Sequence, residues 1–272
     1  MSTRLINRQP GRVSRVVLAA IPFLLIMLLY SWGSAVRKAE NPDDKLLPTA
    51  TEMASAIQRM AFEPNRRTGE YQLWQDTASS LQRLSISVGL AALIGCILGV
   101  LAGAIPYLGS TINPLVTAVS LIPPLAVLPI LFIVFGLGEL AKVVLIVVGI
   151  TPVIVRDLYQ RTVELPKEQL VKAQTLGGNS SQIIFRVILP QILPRLIAAV
   201  RLSLGAAWLF LIAAEAIAST DGLGYRIFLV RRYLSMDIII PYVLWIALLA
   251  FMIDWLLNRV SKSAFPWYHT SN

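Results

Sequence analysis

Acidic side chains set inside apolar stretches are the first residues in this sequence with a claim to chemistry. Glu215 lies toward the end of the run at 192–218, followed by Ser219, Thr220 and the turn-like DGLGY at 221–225, and Asp254 lies in the run at 238–257. An ionisable group at membrane depth is costly and is by default functional. Glu215 therefore reads equally as lining a polar pathway or as holding freed backbone, whereas Asp254 reads as the partner of Arg259 or of a backbone amide. The inventory for catalysis is otherwise thin. The one histidine, His269, stands near the chain end, and the one cysteine, Cys96, stands inside an apolar run. Neither an intrachain disulfide nor a His- or Cys-based metal cluster can be built from them. A serine hydrolase acting inside a membrane would need a base beside its serine, and His269 falls outside the apolar runs. No G-x-x-x-x-G-K-[ST] phosphate loop occurs, so nucleotide hydrolysis is not expected of this chain. No catalytic residue, metal site or cofactor is assigned to it.

The elements that would position these acids are membrane helices. The 272 residues are 56% hydrophobic and 14% charged, against about 25% charged for soluble domains, and the mean hydropathy is +0.68. About six stretches approach the roughly 20 residues a bilayer requires: 16–34, 84–105, 112–135, 140–155, 192–218 and 238–257. The expected fold is an all-α integral membrane bundle. Arg4, Arg8, Arg12 and Arg15 precede the first run, as in a signal peptide, but Trp32, Arg37 and Lys38 follow it where a small-residue cleavage site would be. It is read as a retained helix.

The lysine and arginine distribution places both termini in the cytoplasm. Arg259 and Lys262 then share that side with the connection carrying Arg156, Arg161, Lys167, Lys172, Arg186 and Arg195. On the opposite side Arg59, Arg66, Arg67, Arg231 and Arg232 are interleaved with Glu52, Glu63, Glu70, Asp76, Asp221 and Asp237. The net charge of +9 is accordingly a topology signal, and nucleic acid is not an expected partner.

The organisation follows: a cytoplasmic segment at 1–15, a first helix at 16–34, an external segment at 35–83, a core at 84–260 with a cytoplasmic loop near 160–191, and a tail at 261–272. In the external segment Thr49 and Glu52 form a capping box ahead of a helix with Met53, Ile57, Met60 and Ala61 on one face. This helix is expected to lie on the outer surface of the bundle. Gly95, Gly99 and Gly103 recur every four residues and predict a close helix contact. Pro123, Pro124 and Pro129 in SLIPPLAVLPI predict a kink. Broken backbone is tolerated only within protein or beside a water-filled cavity, so this segment is expected at the bundle centre. No inverted repeat relates the two halves, which weighs against a repeat-built secondary carrier.

The polar interruption AQTLGGNSSQIIFRVILPQILP at 173–194 predicts a docking element. A short helix from Lys167 would carry Leu170, Ala173 and Leu176 on one side and stop at Gly177 and Gly178. Asn179, with Gln182 three residues on, would cap a second short helix, whose exit Pro190 and Pro194 would bend. The result has no nucleophile and base, and suits mechanical docking.

This segment resembles the cytoplasmic signature of ATP-binding-cassette importer permeases: a glycine, nine residues, then aliphatic, any, Leu and Pro, supplied here by Gly177 and by Val187, Ile188, Leu189 and Pro190. The family's opening Glu-Ala-Ala falls on Val171, Lys172 and Ala173, so its acid is absent here. The runs at 122–146 and 200–225, with FMIDWLLNRV and FPWY near the end, look like the nitrate, sulfonate, taurine and bicarbonate branch. ENPDDKLLPT and RIFLVRRYLSMD also look like a sub-branch tied to urea or guanidine metabolism. The likeness runs from about Leu46 onward. It implies the type I importer permease fold in a bacterial inner membrane, a second copy of this chain, two ATPase subunits that bind ATP and Mg, and an external or periplasmic solute-binding protein. It further implies that residues 170–181 couple to the ATPase, through Leu170, Ala173, Leu176, Gly177, Gly178, Asn179 and Ser180. Pro123, Pro124, Glu215 and Ser219 would line the translocation path, which switches by alternating access and carries a small anion or a small nitrogen compound. The alternative, an ion-coupled carrier using Glu215 and Asp254, leaves the glycine-paired turn without a role.

Overall fold

A computed structural model describes residues 11–42, 44–65 and 69–269; the basic residues Arg4, Arg8, Arg66 and Arg67 lie outside them. The described chain is helical throughout. α1 (Arg12–Glu40) and α2 (Ala50–Phe62) precede α3 (Gln72–Ala104), the sharply bent pair α4 (Pro106–Ser120) and α5 (Pro124–Phe135), and α6 (Glu139–Val163). α7 (Lys167–Thr175) and α8 (Ser180–Ile183) lead through a π turn at Ile184–Ile188 into α9 (Leu189–Ala218), and α10 (Leu223–Arg231), α11 (Met236–Ala264) and α12 (Pro266–His269) complete the chain. Four helical stretches are long and apolar enough to cross a membrane, or up to five with the bent pair taken as one span. The expected span at 140–155 falls in α6, whose Leu145, Ile146, Ile150, Ile154 and Leu158 are fully enclosed by protein.

α6 is central because α3 presents it with a face that has no side chains. A Cβ at Gly95, Gly99 or Gly103 would stand 2.6, 2.8 or 2.5 Å from Ile154, Leu158 or Thr162. Absent those atoms, the two backbones approach closely and dispersion accumulates along the seam. On the other side of α6, Gly149 receives the ring of Phe210 from α9. α1 stands apart, with none of its most apolar window buried. Its C-terminal end is tied by Tyr30 Oη donating to Pro48 O (2.7 Å), Ser34 Oγ donating to Leu47 O (2.9 Å) and Lys38 paired with Glu52 (2.7 Å). Arg37 donates to Asp44 and holds that carboxyl below the usual range.

Two expectations are corrected. The prolines of SLIPPLAVLPI break the helix rather than kink it: α4 and α5 diverge by 96°, because Pro123 and Pro124 offer consecutive backbone nitrogens with no hydrogen. In the single chain the break lies on the surface, with Leu121 77% exposed. α3 starts at Gln72, within the segment expected to be external. Its first turns look soluble in sequence because they carry Asp76, Thr77, Ser80 and Arg83, all of which are buried. Finally, the residues after Asn179 do not form a separate short helix bent by prolines. They open one continuous 39-residue helix, Ser180–Ala218. The π turn absorbs the missing donor of Pro190: Leu189 N donates five residues back to Ile184 O.

The amphipathic α2 forms as expected, with Thr49 and Glu52 in a reciprocal capping box. It lies against α3 and α11, where Met53, Ile57 and Met60 line an apolar groove with Trp74 and Trp245.

Gly103→Leu should lower the thermal midpoint of the purified protein by several degrees, since overpacking costs about 1–3 kcal/mol. Gly89→Leu, on the same helix with nothing within 4 Å of its Cβ, is the control. Equal midpoints for both variants would contradict the close-contact account.

Candidate functional site

Two constructions stand out, at opposite ends of the α6–α9 pair. The first is built on Arg83 of α3, which is buried. Its Nη1 donates to Glu215 Oε1 (2.8 Å) and to the carbonyl of Asp221 (3.0 Å), and its Nε and Nη2 straddle Glu139 at 2.5 and 2.9 Å. Nη2 also donates to the Asp221 carboxylate. Lys142 adds a second cation, donating to Glu139 Oε1 (2.7 Å) and Ser219 Oγ (3.1 Å). Glu215, with 0% exposure, accepts further from Ser80 Oγ (2.8 Å) and Gly224 N (2.8 Å). Two turns before Arg83 on α3, Asp76 accepts from Gly222 N (3.0 Å), Arg226 Nε (2.8 Å) and Tyr242 Oη (3.1 Å).

These bonds staple the turn between α9 and α10 onto α3 and α6. The backbone of that turn sits close over the carboxylate. Gly222 has φ of +114°, and a Cβ there would meet Glu215 Oε1 at 2.5 Å, so both conformation and space call for glycine. Among the described residues no group of three or more His, Cys, Asp or Glu could hold a metal ion.

Glu215, a sequence candidate for the path, is thus enclosed and fully bonded, and Ser219 donates to Asp221 O (2.7 Å) within the stapled turn. Pro123 N-caps α5 and Pro124 opens it, well away from this network. Asp254 does not pair with Arg259. It forms a two-pronged bond with Arg201 of α9, at 2.8 and 2.9 Å, while Arg201 also donates to Asn258 (3.0 Å); a facing helix offers a better-aligned guanidinium than the same helix does.

Sequence reasoning missed Arg83, Ser80, Glu139, Lys142 and Arg226, and treated Asp76 as a surface acid. A signal was available: Asp76, Ser80, Arg83 and Ser87 follow i, i+4, i+7, i+11 spacing, a polar stripe on one face of a helix.

The second construction is the elbow between α7 and α8. Gly177 is left-handed, with φ of +81°. Gly177 N donates to Gln174 O (2.9 Å) and Gly178 N to Ala173 O (3.0 Å), two nested bonds that close α7. Asn179 immediately starts the next helix through a reciprocal box, with Gln182 N donating to Asn179 Oδ1 (2.8 Å) and Asn179 N to Gln182 Oε1 (3.0 Å). Leu170 and Ala173 pack partly against the core. Leu176 does not share their side: as the residue that ends α7 it turns outward and is 88% exposed. Asn179 and Ser180 are exposed as well. The elbow is therefore a rigid, solvent-facing corner with an apolar tip.

Comparison with known proteins bears on both constructions. The family described as binding-protein-dependent transport system inner membrane component matches residues 91–265. The taurine transport system permease protein TauC of Escherichia coli (strain K12) is 30% identical over 267 residues, covering 98% of this chain and 95% of that protein. The nitrate import permease protein NrtB of Synechococcus elongatus is 30% identical over 54% of this chain and 53% of its own length. Among solved structures, an inward-facing conformation of the MetNI methionine ABC transporter aligns with a TM-score of 0.61 at 22% identity, covering 69% of this chain and 94% of that one.

Arg83→Met should cost about 3–5 kcal/mol, because Glu215, which it neutralises, is left buried without a cation. The purified variant should show a large fall in thermal midpoint, and Arg83→Met combined with Glu215→Leu should recover part of it. A single variant with wild-type stability would remove Arg83 from its structural role.

Proposed function

Because the chain belongs to the binding-protein-dependent transport system inner membrane components, we propose that two copies of it form the membrane pathway of an ATP-driven importer for a small anion. The chain is a multi-pass inner-membrane permease subunit of an ABC importer and not itself an enzyme. Such a system implies ATPase and solute-binding partners. In this reading ATP and Mg are bound by two ATPase subunits seated on the elbow side, and an external binding protein delivers the solute to the opposite end. Both termini then lie in the cytoplasm.

The observation that carries the reading is the elbow. Leu176 is apolar, almost wholly exposed and held on a corner whose backbone N–H groups from Leu176 to Asn179 are all bonded. Such a corner can transmit a push, because its shape is fixed before any partner arrives. Closure of the ATPase pair would displace Leu176, Gly177, Gly178, Asn179 and Ser180 as one body, with Leu170 and Ala173 passing the movement inward. Alternating access follows if the ATPase, in its two states, binds two arrangements of the bundle with different affinity.

The solute class is taken from relatives named for taurine and nitrate transport, whose shared feature is a small oxyanion group; no relative named above is a urea or guanidine transporter. The ion-coupled carrier is not favoured. Both acids it would use are occupied, Glu215 by Arg83, Ser80 and Gly224, and Asp254 by Arg201.

Gly177→Pro, which cannot adopt a positive φ, and Leu176→Asp should each leave the protein inserted and folded while abolishing ATP-dependent uptake in proteoliposomes of the reconstituted complex. Co-purification of the ATPase with Leu176→Asp should fall. Normal uptake and normal association in both variants would overturn the docking assignment.

A further inference from the structure

A polar cleft of about 620 Å³ opens between α4 and the elbow-proximal half of α6. Its walls carry hydrogen-bonding side chains in a protein whose surface is otherwise largely apolar: Asn113 and Thr117 with Ser120 from α4, and Arg156, Tyr159 and Gln160 from α6. Arg156 is the notable member. Arg83, Arg201 and Arg226, which face neighbouring helices, are each paired with a carboxylate. Arg156 is exposed and, among the described residues, has no ion-pair partner; its Nη1 donates only to Ser120 Oγ at 3.3 Å. The one acid on the cleft wall, Asp157, is turned to Arg161 at 3.8 Å.

We propose that this cleft is a binding site for a small oxyanion on the elbow-side leg of the translocation path, with Arg156 as the residue that selects for negative charge. It rests on the reading of the chain as an anion permease. The guanidinium presents a planar fork that matches the spacing of two oxygens on a sulfonate, nitrate or carboxylate. The Asn113 amide and the Thr117 and Tyr159 hydroxyls are neutral donors within the same cleft, able to meet a remaining oxygen. A cation without a counter-ion, in a recess walled by low-dielectric protein, focuses its field on the opening and raises the local concentration of small anions. The cleft's open character suits transient rather than tight occupancy, which is what a solute about to be released requires. The same oxyanion chemistry could be met by a lipid phosphate, and the test separates the two sources.

The probe is radiolabelled methanesulfonate, with binding measured on the full-length chain in nanodiscs made only of phosphatidylcholine. Wild type should bind it at millimolar concentration. Arg156→Gln should weaken binding by about tenfold or more, the loss expected for one charge-assisted bond. Arg156→Lys should retain part of the affinity, and Ser110→Ala, outside the cleft on α4, should retain all of it. Binding unchanged in Arg156→Gln would overturn the site. So would absence of binding to wild type, whether or not phosphatidylglycerol added to the nanodiscs is enriched around wild type and not around Arg156→Gln; such enrichment would identify the source as lipid. Uptake by the reconstituted complex is read separately. Arg156-dependent binding without any ATP-driven uptake would leave the cleft standing and remove the importer reading, whereas uptake with Arg156-independent binding would do the reverse.

Discussion

A buried guanidinium has to be neutralised where it stands. Arg83 sits on α3 with little access to water, and the cost of removing its charge from solvent is met only if carboxylates converge on it from elements distant in the chain. Glu139 brings the first residue of α6, Glu215 the last turn of α9, and Asp221 the turn beyond it. These contacts fix where three helices end relative to one another. With that end stapled, the glycine face of α3 is held opposite α6, and the close packing of the core follows.

The staple and the elbow are the two ends of the same pair of helices. α6 starts at Glu139 in the charged network and ends at Val163, shortly before α7; the long helix that follows starts at Ser180 in the elbow and ends at Ala218, beside Glu215. At about 1.5 Å per residue, α6 carries the elbow's position across a membrane-sized distance. In the proposed function a push at Leu176 would act on elements whose far ends cannot slide independently, because Arg83 binds both. Packed interiors shift between discrete arrangements instead of deforming smoothly, which is the mechanical behaviour that alternating access needs. The π turn at Ile184–Ile188 is the one irregularity between elbow and core, and it lies where the long helix leaves the elbow.

The bent pair α4–α5 is of a different character. Its 96° turn exposes Leu121, Ile122, Ile130 and Ile133 on the surface of the single chain, and the polar cleft lies along α4 on the same side of the break as the elbow. Apolar surface and polar cleft on one bent element are consistent with a chain that meets lipid or a second copy over one face and a polar solute over another.

What the sequence by itself determined is what short-range rules control. Membrane helices follow from runs of apolar residues, and the close α3–α6 contact is foreshadowed by glycines four apart. The two capping boxes, Thr49 with Glu52 and Asn179 with Gln182, and the left-handed stop at Gly177 are made from groups within a few residues of each other, so spacing alone specifies them. The elbow was legible for that reason. The charged network was not, because Arg83 and Glu215 are 132 residues apart, and Asp76 and Arg226 are 150 apart. Pairing at that separation depends on which helix faces which, and no local pattern states it. The same reason assigned Asp254 to Arg201 in place of Arg259. Charge partners are chosen by the low dielectric of the folded interior, where an unpaired ion is costly and the nearest opposite charge wins; that choice exists only once the helices have packed.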